Sequence, residues 1–173
     1  MSLESIEIHD ESSQTTAKIL PGYGFNCYSL VCKSAGKPVE LLWSAPAFTT
    51  GMTRPAGSGI PILFPFAGRI AGTSFQYEGK SYPLEVGDDL GNAIHGFVHR
   101  RPWRVVEKSD RFVCGEFQAS IDDPTLLTRW PADFRINVDY TIHPKSLDAL
   151  AMVENVDTRP LPFAPAMTVS EGL

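Results

Sequence analysis

The sequence predicts an all-β domain, an antiparallel β-sandwich, and three observations lead there. Residues 134–142, FRINVDYTI, alternate strictly: Phe134, Ile136, Val138, Tyr140 and Ile142 are apolar and the residues between them are polar. A period of two is the mark of a half-buried strand. Fourteen prolines and fourteen glycines are spread along the whole length, which disfavours long helices. Short apolar runs recur between turn signals, the pattern of a sandwich or barrel.

Taken in order, FNCYSLVCK (25–33) and PVELLW (38–43) read as short strands. FQYEGKSYPL (75–84) reads as a hairpin with Glu78-Gly79 at its turn and aromatics at 75, 77 and 82. RFVCGEFQAS (111–120) is another strand. DDPTLLTRW (122–130) is the candidate short helix, with Asp123 as N-cap and Pro124 at the first helical position. After the alternating strand, HPKS (143–146) makes a turn and LDALAMVENV (147–156) its hairpin partner. Leu, Ala and Met favour helix, so propensity alone leaves that last segment open. No repeat or linker interrupts the chain, and residues 1–173 read as a single domain.

Fifteen basic and twenty acidic side chains leave a net charge of −5, and 43% of residues are hydrophobic. This is globular composition without the basic patch of a nucleic-acid binder. No apolar run approaches the roughly 20 residues of a membrane span, and MSLESIEIHD is not a signal peptide. Cys27, Cys32 and Cys114 form no C-x-x-C pair and read as three reduced thiols of a cytoplasmic protein.

GSGIPILFPFAGRIAG (57–72) invites a phosphate-loop reading and fails it. It has no G-K-[ST], and Pro61 and Pro65 stop a helix from following the glycines. The segment is an apolar strand or loop that delivers Arg69, and spacing leaves that guanidinium open between a structural salt bridge and a ligand contact. NAIHGFVHRRPW (92–103) places His95 and His99 four apart. On a helix that would be a metal pair, but Gly91, Gly96 and Pro102 argue for loop and strand, and no third ligand lies near. His95 is then either a core histidine bonded to backbone or a functional group. Arg100-Arg101 is a solvated pair or an anchor for phosphate or carboxylate. His9 and His143 read as exposed, and Glu78, Glu85, Asp88 and Asp89 as features of a turn-rich segment.

Five segments in order, GIPILFPFAGRI, FQYEGKSYPL, NAIHGFVHRRPW, WPADFRINVDYTI and LAMVENVDTRPLPF, resemble the aldose 1-epimerase (galactose mutarotase-like) family over residues 18–163. The resemblance implies a large antiparallel β-sandwich that binds a hexose and interconverts its α and β anomers, with no metal or organic cofactor. Arg69 matches the family's sugar-binding arginine, and Gly68 stands where an asparagine is usual. His95 matches a histidine that bonds the sugar near its ring oxygen, with Gly96 letting the backbone turn close and Asn92 shaping the loop. Arg100 and Arg101 motivate a second possibility, a hexose-6-phosphate mutarotase relative. A third is a non-catalytic carbohydrate-binding module on the same scaffold.

The family continues into a His-x-Tyr-Phe motif that carries its general acid, and later into an aspartate and a catalytic glutamate. This chain instead reads APAMTVSEGL (164–173). The expectation is therefore an N-terminal half, truncated, with no assignable acid or base and little or no epimerase activity. The expected partner is a small sugar, with neither nucleic acid nor membrane. Self-association through an uncovered sheet face or edge is also expected.

Overall fold

The structure is a computed structural model that describes residues 2–168. The chain opens with a meander of four antiparallel strands, β1 (Ile6–Asp10), β2 (Thr15–Leu20), β3 (Asn26–Ser34) and β4 (Lys37–Glu40). Short pieces follow: β5 (Ile62–Leu63), β6 (Arg69–Ile70), the hairpin β7 (Ser74–Tyr77) and β8 (Lys80–Pro83), and β9 (Ala93–Ile94). A second four-stranded meander holds β10 (Arg104–Lys108), β11 (Phe112–Gln118), β12 (Phe134–His143) and β13 (Ser146–Asn155). Finally β14 (Ala166–Met167) pairs back onto β5.

The alternating strand is β12, with every apolar member buried. Its partner β13 runs in full register from Phe134↔Asn155 to His143↔Ser146. Pairing thus overrides the helical propensity of Leu, Ala and Met. Pro144 followed by Lys145 at φ 68° suits a type II turn. The β7–β8 hairpin turns on Glu78 (φ 48°) and Gly79 (φ 76°), both left-handed as a type I′ turn requires.

The expected helix over 122–130 is a correction in kind. Residues Pro124–Thr128 form a 3₁₀ segment, and a separate helical turn spans Ala119–Asp122. The cap is as expected: the Asp123 carboxylate accepts from the Thr125 backbone N–H at 3.2 Å. Strands β1, β2 and β10 go beyond the sequence expectation. β10 carries almost no buried side chain, so no apolar alternation marks it.

Both meanders turn apolar faces into one core. Phe25 lies between them, stacked on Trp103 and on Tyr140 of β12 at 5.7 and 5.6 Å. It fits because Gly115 of β11 has no side chain; a Cβ there would stand 2.6 Å from the Phe25 ring. Each fully buried Phe of this kind contributes about 1.5–3 kcal/mol. One edge bond ties the layers: Asp10, 2% exposed, accepts from Arg111 Nη1 at 2.8 Å and from the Ser12 and Ser13 hydroxyls at 2.6 Å. The outer strand β13 leaves Leu150 and Met152 exposed. Among the described residues no helix is long and apolar enough to cross a membrane. All three cysteines are buried free thiols.

Candidate functional site

The segment between the two meanders builds a cleft. Strands β6 and β9 pair with Arg69 opposite Ile94, so Arg69 and His95 emerge side by side from adjacent strands. Both line a cavity of about 220 Å3, together with Arg54, Asp88, His99 and Arg100. A wider hollow of about 520 Å3 adjoins it and shares Arg54, Asp88 and Arg100, adding Tyr23 and Asp89. The smaller cavity lies below the roughly 300–1,000 Å3 of drug-sized sites and suits a smaller ligand.

His95 is half-buried and sits at φ 66°, a left-handed conformation uncommon outside glycine. Its backbone N–H donates to the Gly68 carbonyl at 3.2 Å. Nδ1 lies 2.6 Å from the Ala67 carbonyl oxygen. A carbonyl only accepts, so Nδ1 carries the proton and Nε2 of the neutral ring is left as an acceptor. Gly96 follows at φ 67°, where a Cβ would fall 2.0 Å from the Phe64 carbonyl oxygen. That close approach lets Phe97 N–H bond the same oxygen at 2.7 Å and sets the loop against the core.

Arg69 is both paired and exposed. It makes a salt bridge, Nε to Asp88 Oδ2 at 2.8 Å, yet its side chain stays 61% exposed at the cavity. Its terminal nitrogens have no hydrogen bond among the described residues. Asp88 is the organiser that sequence reading took for a plain loop feature. It accepts from the backbone N–H groups of Asn92 (2.9 Å) and Leu90 (3.0 Å) and from the Asn92 amide (3.2 Å). The Asn92 backbone bond and the Arg69 guanidinium hold its carboxyl well below the usual carboxylate range, against the opposing effect of burial. The signal available in the sequence was the D-x-x-G-N spacing of an Asx-type turn, which does not name Arg69 as partner.

Asn92 does not line the cavity. Its amide nitrogen is bonded to Asp88 and its oxygen accepts from Gly72 N–H at 3.1 Å. The expectation counted Asn92 with Arg69 and His95 in the binding loop; in the structure it braces the loop behind Arg69. At Gly68, a Cβ would meet nothing within 4 Å, so the space an asparagine side chain would use is open.

The arginine pair divides. Arg100 is exposed, lines both hollows and has no ion-pair partner among the described residues. Arg101 is not a solvated residue. Its side chain is 16% exposed and points away, with Nε on Asp123 Oδ2 at 2.6 Å and Nη2 on Glu85 Oε1 at 2.7 Å. Nη1 donates to the Phe97 carbonyl at 2.7 Å. Two carboxylates already neutralise that guanidinium. His99 is buried, His143 is exposed, and His9, expected to be exposed, is half-buried. Residues 169–173, the end of the segment set against the His-x-Tyr-Phe motif, lie outside the described residues.

Comparison with known proteins places this geometry. The Slr1438 protein of Synechocystis sp. PCC 6803 is 24% identical, with a TM-score of 0.79 over 99% of this chain and 55% of that one. A galactose mutarotase-like protein from Clostridium acetobutylicum is 23% identical, with a TM-score of 0.77 over 98% of this chain and 54% of that one. One from Lactobacillus casei ATCC 334 is 26% identical, with a TM-score of 0.73 over 95% and 48%. The chain thus spans about half the length of the solved structures it matches. A family model for aldose 1-epimerase matches residues 4–167. With that match running through both meanders and the cleft between them, the chain belongs to the aldose 1-epimerase family.

Proposed function

We propose that the cleft binds an aldose and that the chain supplies the Arg69–His95 part of an anomer-interconverting site. The observation that carries this is the placing of Arg69 on β6 and of His95 directly after its partner strand β9, both at one cavity and each with unused hydrogen-bonding capacity. Sugar hydroxyls need both donors and acceptors. Arg69 offers free guanidinium donors beyond its bond to Asp88, and His95 Nε2 offers a lone pair.

Anomer exchange needs one group to take the proton of the anomeric hydroxyl and another to protonate the ring oxygen. His95 with its tautomer set by Ala67 can serve one of these positions. The remaining histidines lining the cleft reduce to His99, which is held neutral. The chain is therefore expected to bind sugar while mutarotating it at close to the buffer rate. Removing one hydrogen bond to a charged group costs about 1.5–3 kcal/mol, tenfold or more in affinity. Arg69→Ala should weaken glucose or galactose binding by about that factor in calorimetric titration, and His95→Ala, which loses a neutral bond worth about 0.5–1.5 kcal/mol, by about two- to tenfold. Absence of binding by the parent chain would sink the sugar reading. A polarimetric rate well above buffer would sink the low-activity part, and binding without turnover is also what a carbohydrate-binding module would give.

A second reading is favoured by Arg100, a cation with no ion-pair partner among the described residues, facing both hollows. It is suited to a phosphate on the sugar's far end, with Arg54 nearby although bonded to Asp89 at 2.9 Å. Under this reading glucose 6-phosphate binds more tightly than glucose, and Arg100→Ala removes the difference. Equal affinities for the two sugars would dismiss it.

A further inference from the structure

A second imidazole stands beside His95 in the cleft. His99 sits in the 3₁₀ turn Val98–Arg100 and is only 5% exposed, yet it borders the cavity of about 220 Å3 that Arg69 and His95 line. Its ring stands edge-on to His95, with centroids 6.0 Å apart. Nδ1 is buried with no hydrogen-bond partner among the described residues. That nitrogen is sealed from the cavity, whereas Nε2 is not among the buried unpaired atoms and makes no hydrogen bond among the described residues, so it is the ring atom open to a ligand.

The surrounding fold holds this ring in place. Gly24, at φ +74°, has no Cβ; one would lie 2.2 Å from the His99 carbonyl oxygen. The β2–β3 connection can therefore press directly on the His99 backbone, and Gly24 N–H bonds the Arg101 carbonyl at 2.8 Å. Burial, reinforced by the charge of Arg100, pushes the His99 pKa down to about 3. From other elements Arg54, Arg69 and Asp88 face the same cavity. A neutral imidazole keeps one N–H and one lone pair, the pair of functions that matches a hydroxyl.

We propose that His99 is a second ligand-binding residue of the cleft, which hydrogen-bonds a hydroxyl of the aldose that His95 and Arg69 engage. Nδ1 is sealed in the free protein, so Nε2 is the nitrogen that meets the ligand. This inference rests on the sugar reading above and adds to it a contact that the family resemblance did not assign.

The test is a glucose titration of the full chain with ¹³C-labelled histidine rings, the signals assigned through the His95 and His99 variants. The expected result is that both ring signals move with one saturation curve. His99→Phe, which keeps an aromatic ring and removes both nitrogens, should weaken glucose about tenfold. His99→Gln sets an amide nitrogen where Nε2 stands and should stay within about threefold. A His95 signal that moves while His99 stays still overturns the inference and leaves the sugar reading standing. So does a folded His99→Phe protein that binds glucose as the parent does. If neither signal moves, the sugar reading falls and the His99 assignment with it. Should His99→Phe fail to fold, the ring spectra of the parent chain decide.

Discussion

Gly96→Ala is expected to destabilise the protein by about 3 kcal/mol. Two penalties combine. The residue sits at φ 67°, where an alanine costs about 1 kcal/mol more than glycine. The new methyl would also fall 2.0 Å from the Phe64 carbonyl oxygen, a backbone atom that cannot swing aside. Relieving that overlap sacrifices the 2.7 Å bond from Phe97 N–H to the same oxygen, worth about 1–3 kcal/mol when buried groups are left unpaired. For a domain of this size the loss corresponds to a fall of about 10 °C in Tm. Gly91→Ala is the control. It shares the positive φ, at 79°, but its Cβ would meet nothing within 4 Å. It should cost only about 1 kcal/mol. Thermal unfolding followed by circular dichroism compares the two. Equal losses would mean that conformation alone matters and that the Phe64 approach is slack. Because Gly96 adjoins His95, the damage should extend to sugar binding, with the His95 ring displaced from the Ala67 carbonyl.

Arg101→Ala is the second large effect. The guanidinium joins three segments: Glu85 before the cleft loop, Phe97 after His95, and Asp123 at the 3₁₀ cap. Breaking a buried pair by removing one partner costs about 3–5 kcal/mol. Glu85 is 42% exposed, so solvent screens part of this and the expected loss is about 2–3 kcal/mol. Arg101→Lys should recover only part, since an ammonium cannot fork to two carboxylates and a carbonyl. The pH dependence has a definite sign. Burial opposes ionisation of Asp123, but the Thr125 hydroxyl and Arg101 outweigh it and hold its pKa below the ordinary value. A carboxyl depressed on folding stabilises at pH above its unfolded pKa, and that contribution is lost as pH falls through the folded one. The gap in Tm between parent and Arg101→Ala should therefore be wide at pH 7 and narrow below about pH 4. A gap that stays constant across that range would show that lost packing, not the ion pair, carries the effect.

The alternating run of residues 134–142 by itself determined a strand and the face it buries, because period-two patterning is local and survives any tertiary arrangement. The turns at Glu78-Gly79 and Pro144-Lys145 were legible for the same reason. The Asp123 cap was legible too, since its partner lies two residues away. Residues 119–120 read as strand and fold into the helical turn Ala119–Asp122, where Gln118 N–H meets Asp122 at 2.7 Å and Ser120 N–H meets Asp133 at 3.0 Å. The cleft divides along the same line. Motif order picked out Arg69 and His95. The tertiary structure alone decided that Arg69 meets Asp88, nineteen residues away, and that Arg101 turns to Asp123, twenty-two residues away. It also decided that His99 is buried while Arg100 faces the hollow. Neighbouring residues of like type parted there because the backbone direction at each was set by packing against Gly24 and Phe64. Those contacts reach across the chain, where no local periodicity records them.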